Sequence, residues 1–119
     1  MSQSLTTLRQ LAARHQHYRC YYCSLPMWCN DPQAYMRAYG VSAAQAKLLQ
    51  CTAEHLIPKC IGGTNSKLNI VAACRYCNAK RHARRQPMEP IEYKRFVHQR
   101  ITKGGWLAAT LPKTLLGAL

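Results

Sequence analysis

Two pairs of cysteines, each pair separated by two residues, most limit how this chain can fold. They are Cys20 with Cys23 and Cys74 with Cys77, and 50 residues lie between the pairs. Paired Cys-x2-Cys knuckles are a strong signature of a structural zinc ion bound tetrahedrally by four thiolates. One ion bound by both pairs would bring two distant segments of the chain into contact. The alternative is that these cysteines are free thiols or have a redox role.

The other cysteines and the chain length favour one small domain. Seven cysteines in 119 residues is an odd count, which argues against a complete disulfide framework within one chain. Cys51 is expected to be a small buried hydrophobe, and Cys29 could substitute as a zinc ligand. Since 119 residues form only a modest core, a structural metal would help to stabilise it.

Charge indicates the class of partner. Seventeen Lys and Arg against four Asp and Glu give a net charge of +13 and a pI near 9.8. Such an excess is typical of proteins that bind polyanions. No apolar run approaches the ~18 residues of a membrane-spanning helix, and the N-terminus lacks a secretion-signal pattern, so we expect a cytoplasmic protein.

The segment from position 51 to 85 predicts strand, loop, strand and helix. Residues 51–56 and 68–73 favour two strands, and Pro58 with Gly62-Gly63 indicates a wide loop between them. Residues 74–85 lack Gly and Pro and are rich in Ala, Lys and Arg, which favours a helix beginning near Cys77.

Polar side chains on these elements predict a metal-dependent catalytic site. Asn78 and His82 are four residues apart on one helix face, and Glu54 could add an oxygen ligand, in a set that suits Mn, Zn or Ni better than Mg. Neighbouring strand side chains point to opposite faces, so Glu54 and His55 should not chelate together. We expect His55 to accept a proton from the attacking water, and Asn69 to orient the imidazole or to tie down the loop.

These residues resemble the HNH endonucleases, the ββα-metal or His-Me finger nucleases, in a zinc-knuckle subtype with two CxxC pairs. The resemblance covers Cys20-x2-Cys23 and residues 51–82, through Glu54-His55-x2-Pro58, Gly62-Gly63, Asn69-Ile70 and Cys74-x2-Cys77-Asn78. The family more often has Asp before its first His and often His at its third position, where this chain has Glu54 and Asn78.

The resemblance implies a role for each matched residue. Glu54 and Asn78 would bind the catalytic ion, His55 would be the general base, and Asn69 would orient it. His82 lies where the nuclease colicins of the wider superfamily place a further metal-binding His. The resemblance also implies a ββα-metal finger and hydrolysis of phosphodiester bonds.

Basic side chains around this site are expected to bind the phosphates that flank a cut. They are Lys59, Lys67, Arg75, Lys80, Arg81, Arg84 and Arg85.

The remaining segments predict supporting helices. Ser4 can cap a first helix, Ser42 can cap another, and a short helix is expected from Pro32 to Tyr39, ended by Gly40. A last helix is expected from Pro90 to about position 103. The leucine-rich tail after Gly105 could fold back on its own domain, or contact a second copy or another protein.

The resulting prediction is one domain over residues 1–119, with a core at 18–85, a helical insertion at about 31–50, and a C-terminal helix and apolar tail at 90–119. Its fold class is α+β: a small ββα-metal finger with a structural zinc site formed by four cysteines, flanked by several helices. The expected function is DNA hydrolysis, by nicking or cleavage, with Zn2+ as structural ion and Mg2+, Mn2+ or another divalent metal for catalysis. RNA is the other possible substrate, and a non-catalytic, zinc-stabilised nucleic-acid-binding protein is the alternative.

Overall fold

A computed structural model describes residues 3–117 of the chain. The helices and strands are α1 (Leu5–His15), α2 (Pro32–Tyr39), α3 (Ala43–Leu48), β1 (Cys51–His55), β2 (Ile70–Cys74), α4 (Arg75–His82), α5 (Pro90–Thr102) and α6 (Lys113–Leu116). Two short 3-10 helices, Lys59–Ile61 and Trp106–Ala109, complete the elements of the described residues.

A two-stranded antiparallel sheet lies at the centre of the fold. β1 pairs with β2 from Cys51 opposite Cys74 to His55 opposite Ile70, and α4 follows β2 directly. α1 and α4 both contact the sheet. The predicted α+β class and the ββα order are therefore confirmed, and the sheet places one face of α4 beside β1.

The ends of these elements follow local sequence signals with two corrections. The side chains of Ser4 and Ser42 accept the expected capping hydrogen bonds, and Gly40 ends α2 in the left-handed conformation at φ 65°. α4 begins at Arg75, earlier than predicted, because Cys74 caps it by accepting the backbone N–H of Cys77. β2 begins two residues later than predicted, since the segment before it is a turn closed on the carbonyl of residue 66.

The insertion helices pack against the segment that follows the first cysteine knuckle. The Tyr35 hydroxyl on α2 donates to the Pro26 carbonyl at 2.7 Å, and the Trp28 indole donates to the Ala46 carbonyl on α3 at 2.7 Å. Packing was the expected role of these helices.

The apolar tail folds back on its own domain. Leu107, Leu111 and Leu115 are buried in the same core as the knuckle cysteines. These three leucines therefore give no reason to expect a homodimer or a protein partner, and Leu119, at the end of the tail, lies outside the described residues. Within residues 3–117, no helix is both long enough and apolar enough to cross a bilayer.

Candidate active site and metal centre

The four knuckle cysteines converge in the core. The sulfur atoms of Cys20, Cys23, Cys74 and Cys77 all lie within 4.8 Å of one another, and those of Cys23 and Cys74 are 3.9 Å apart. Tetrahedral thiolates at about 2.3 Å from zinc would be separated by roughly 3.8 Å. The group fits a structural metal such as zinc, which would fasten the first knuckle to β2 and α4.

Backbone and indole N–H groups point at these sulfur atoms. The Cys20 sulfur accepts from the backbone of Cys74 at 3.2 Å, and the Cys77 sulfur accepts from the Trp106 indole at 3.3 Å. Burial opposes ionisation of Cys20, yet hydrogen bonds from the other three thiols hold its pKa well below the ordinary value. Burial raises the pKa of Cys74 and Cys77 well above it. Such donors stabilise thiolate charge and orient metal ligands.

The three remaining cysteines, Cys29, Cys51 and Cys60, lie outside this group. Cys29 lies beside Cys51 rather than among the four sulfur atoms, so it does not substitute as a ligand in this arrangement. Burial raises the pKa of Cys51 to about 12, and the side chain is 2% exposed. Cys51 is therefore a small buried thiol, as expected.

An open cleft brings together four of the five side chains predicted for catalysis and for the catalytic metal, all except Asn69. It has a volume of about 270 Å³ and lies between β1, the loop after it and α4. Its lining includes Glu54, His55, Asn78, His82 and Lys59. Strand and helix thus contribute to one concave site on the surface, large enough to admit water and a phosphate group.

Glu54 is the buried centre of a hydrogen-bond network at the base of this cleft. One carboxylate oxygen, Oε2, accepts from the Tyr22 hydroxyl at 2.8 Å and from the Arg81 guanidinium at 3.0 Å. The other, Oε1, lies 2.7 Å from Nε2 of His82. The carboxylate is therefore fixed through Oε2, while Oε1 faces an imidazole that lines the cleft.

Tyr22, within the first cysteine knuckle, packs in the core and donates its hydroxyl to Glu54 and not to water. Its ring is buried edge-on against Tyr21 and Tyr93. Burial, followed by the nearby charge of Glu54, raises the pKa of Tyr22 well above its ordinary range. The hydroxyl therefore stays protonated and donates to the carboxylate. Because Tyr22 lies between Cys20 and Cys23, the first knuckle orients Glu54.

Arg81 was expected to bind phosphate, and the structure corrects this expectation. The side chain is 2% exposed. Its guanidinium donates to Glu54 and to the backbone carbonyls of His55, Leu56 and Met88 at 3.0–3.1 Å. An ion pair and these carbonyls use its donors, so Arg81 stabilises the end of β1 and neutralises Glu54.

Replacing Arg81 with Met should destabilise the domain by about 3–5 kcal/mol, because it leaves the Glu54 carboxylate buried without its counter-ion. Urea unfolding measures the change. Arg84→Met is the matched control, since Arg84 is exposed and lies over the Phe96 ring at 5.3 Å, and it should cost no more than about 1 kcal/mol. Equal losses for the two variants would contradict the assigned role.

The buried Asn69 holds the loop between the strands. Its Oδ1 accepts from the Ile57 amide at 2.8 Å, and its Nδ2 donates to the carbonyls of Ile57 and Thr64 at 3.1 and 2.9 Å. Of the two roles considered for Asn69, the structure places it in the loop-binding one. The imidazole of His55 instead contacts Asn65, whose Oδ1 lies 2.7 Å from Nε2. No spacing rule in the sequence singles out Asn65.

The donor set of the cleft fits a divalent cation. Glu54 Oε1 and His82 Nε2 are 2.7 Å apart, a hydrogen-bond distance at which Nε2 carries the proton, so a divalent ion held by both atoms would replace that proton and separate them to about 3 Å. The hydrogen bonds described for the Asn78 side chain use Nδ2, which donates to the Thr52 hydroxyl and the Ala53 carbonyl. Its Oδ1 therefore keeps lone pairs for a ligand. Carboxylate, amide and imidazole donors suit a transition metal.

The other predicted phosphate-binding residues are exposed but do not form one cluster. Lys59 lines the cleft, and Arg75 lines a groove beside it. Lys80, Arg84 and Arg85 are exposed on α4 or just after it. Lys67 lines a different cavity, between α1 and β2.

Comparison with known proteins gives one match. Residues 29–84 match the family model described as HNH endonuclease, so the resemblance drawn from the sequence is confirmed for that segment. It contains the second cysteine knuckle and all the side chains predicted for catalysis, while the first knuckle lies outside it. No curated protein and no solved structure matches the chain.

Proposed function

We propose that this HNH segment makes the chain a metal-dependent endonuclease that hydrolyses DNA phosphodiester bonds. The observation that supports it best is the cleft in which Glu54, His55, Asn78 and His82 meet beside Lys59. Each side chain offers a function that such hydrolysis needs, and a protein that only binds nucleic acid would need none of them together. We further propose that the four cysteines hold zinc.

His55 is the general base. Because the carbonyl oxygen of an amide only accepts hydrogen bonds, Asn65 Oδ1 requires a proton on Nε2 of His55. The neutral imidazole then carries its lone pair on Nδ1. Nδ1 accepts a proton from the water whose oxygen attacks phosphorus, and the bond to the 3′ oxygen breaks, leaving a 5′-phosphate.

The residues that would hold the catalytic ion are Glu54 through Oε1, His82 through Nε2 and Asn78 through Oδ1. When bound, a divalent cation stabilises charge on the scissile phosphate and on the leaving oxygen. Tyr22 and Arg81 keep the Glu54 carboxylate in place by occupying Oε2, so they are positioning residues.

Exposed cations would hold the substrate strand. Lys59 lies within the cleft, and Arg75, Lys80, Arg84 and Arg85 are exposed along α4 and after it. Contacts with phosphates fix the register of a duplex without reading its sequence, so we expect weak sequence preference.

A plasmid assay tests the proposal. Chelator-treated protein is incubated with supercoiled DNA alone and with Mg, Mn, Ni or Zn, beside His55→Ala protein purified identically to report contaminating nuclease. The expected result is open-circular DNA only with added divalent ion and only for the unmodified chain. DNA retention in a gel shift without nicking under any of the four ions would refute the nuclease and favour the zinc-stabilised binding protein.

A further inference from the structure

A second groove lies directly beside the candidate cleft. It has a volume of about 330 Å³ and is lined by α1, β1 and the first residue of α4. Ala53 of β1 lines both cavities, so the two are adjacent along one strand. A chain molecule lying in the cleft along β1 would continue into this groove.

The groove and the cleft are also adjacent along α4. Arg75, Asn78 and His82 are separated by three and four residues, so they lie on one helix face. Arg75 lines the groove, and the other two line the cleft. Arg75 and His82 are therefore about 10 Å apart along the helix axis, at 1.5 Å per residue. This rise corresponds to roughly three nucleotides of one B-DNA strand.

The groove carries donors suited to an anion. Its polar lining consists of Thr6 and Arg9 on α1, Gln50, Thr52 and Arg75, and no carboxylate is among the lining residues. The Nε atom of Arg9 is buried and has no hydrogen-bond partner in the described part of the chain. A buried donor without an acceptor is uncommon in folded proteins. Because this Nε has no solvent-exposed surface, a phosphate oxygen would pair with it only after the Arg9 side chain moves towards the groove, whereas the presence of Arg9 in the lining lets a phosphate meet the guanidinium there.

We propose that this groove binds a backbone phosphate of the DNA strand, a few nucleotides from the scissile phosphate, through Arg9 and Arg75. Two guanidinium groups match the charge and geometry of a phosphate, which Arg can bind through paired N–H donors. The inference rests on the proposed function for the position of the scissile phosphate. Arg9 lies outside the HNH segment at 29–84, so α1 adds a DNA contact that this segment alone lacks.

Binding measurements in a His55→Ala background test the groove separately from catalysis. Fluorescence anisotropy with a short labelled duplex is recorded across roughly 50–200 mM salt. Arg9→Gln should weaken binding several-fold and make the slope of log K against log salt shallower by about 1, because one phosphate contact is lost. The double variant Arg9→Gln/Arg75→Gln should make the slope shallower by about 2. Arg9→Lys retains the positive charge, so its slope should stay close to that of the unmodified residue.

Arg14→Gln is the matched control, since it removes the same charge from an exposed position of α1 that lines neither the groove nor the cleft. Its slope should stay at the wild-type value. Equal slopes for Arg9→Gln and Arg14→Gln would overturn the proposal. If thermal melting shows that Arg9→Gln is unfolded, Arg75→Gln takes its place, because Arg75 is exposed. Equal salt slopes for Arg75→Gln and Arg14→Gln would then overturn the proposal. If the unmodified chain never nicks DNA but Arg9→Gln still weakens DNA binding, the groove proposal stands while the nuclease proposal fails.

Discussion

Replacing His55 with alanine is expected to lower the rate of metal-dependent nicking by about 10²- to 10⁴-fold, the contribution of a positioned general base. The variant should still fold and bind DNA, because His55 is only partly buried and its contact with Asn65 is at the surface. Single-turnover nicking of supercoiled plasmid, with binding measured in parallel, checks both expectations. A variant that nicks at the unmodified rate under every ion would exclude His55 as the base.

Asn65 provides a graded comparison. Asn65→Ala removes the acceptor that keeps the proton on Nε2, so the rate should fall by about 10- to 100-fold, as for other partners that orient a functional imidazole. Asn65→Asp retains an oxygen acceptor and should recover most of the maximal rate, even if its added negative charge raises KM. A purely structural role for Asn65 predicts no such recovery, so the split between kcat and KM distinguishes positioning from folding.

Replacing Cys77 with serine should remove the zinc and unfold most of the domain. The four buried thiols would share the proposed zinc ion, and zinc binding in small metal-dependent domains contributes on the order of 10 kcal/mol to folding, comparable to the whole stability of such a domain. The nicking activity should disappear as well, because Tyr22 in the first knuckle orients Glu54. Elemental analysis and circular dichroism of the purified variant measure the two effects.

Cys60→Ser is the control for that experiment. Cys60 is exposed and lies outside the cysteine group, so this variant should keep one zinc per chain and the unmodified melting temperature. Retention of zinc and of the cooperative melt by Cys77→Ser would show that the four thiols do not form the structural metal centre. Equal zinc loss in Cys77→Ser and Cys60→Ser would show that zinc binding does not depend specifically on the four grouped thiols.

Much of the fold is readable from short-range patterns, because the interactions concerned are local. Ser4, Ser42 and Gly40 end helices through bonds within one turn, so residue type and position suffice to predict them. The paired thiols are predictable for another reason: a tetrahedral ion has few ligand arrangements, and two CxxC pairs satisfy one of them. The strand and helix order placed Glu54, His55, Asn78 and His82 near each other, and they line one cleft.

The sequence by itself determined helices α1 to α5, the two strands, the four thiols and the histidine–asparagine series, since each follows from local patterns or spacing along the chain. Only the tertiary structure decided that Arg81 is a buried counter-ion, that Asn65 and not Asn69 contacts His55, and that the apolar tail covers its own core. These outcomes depend on which distant groups remain to satisfy a buried charge, an imidazole or an apolar surface. Such pairings are set by long-range packing, which residue type and local spacing do not encode.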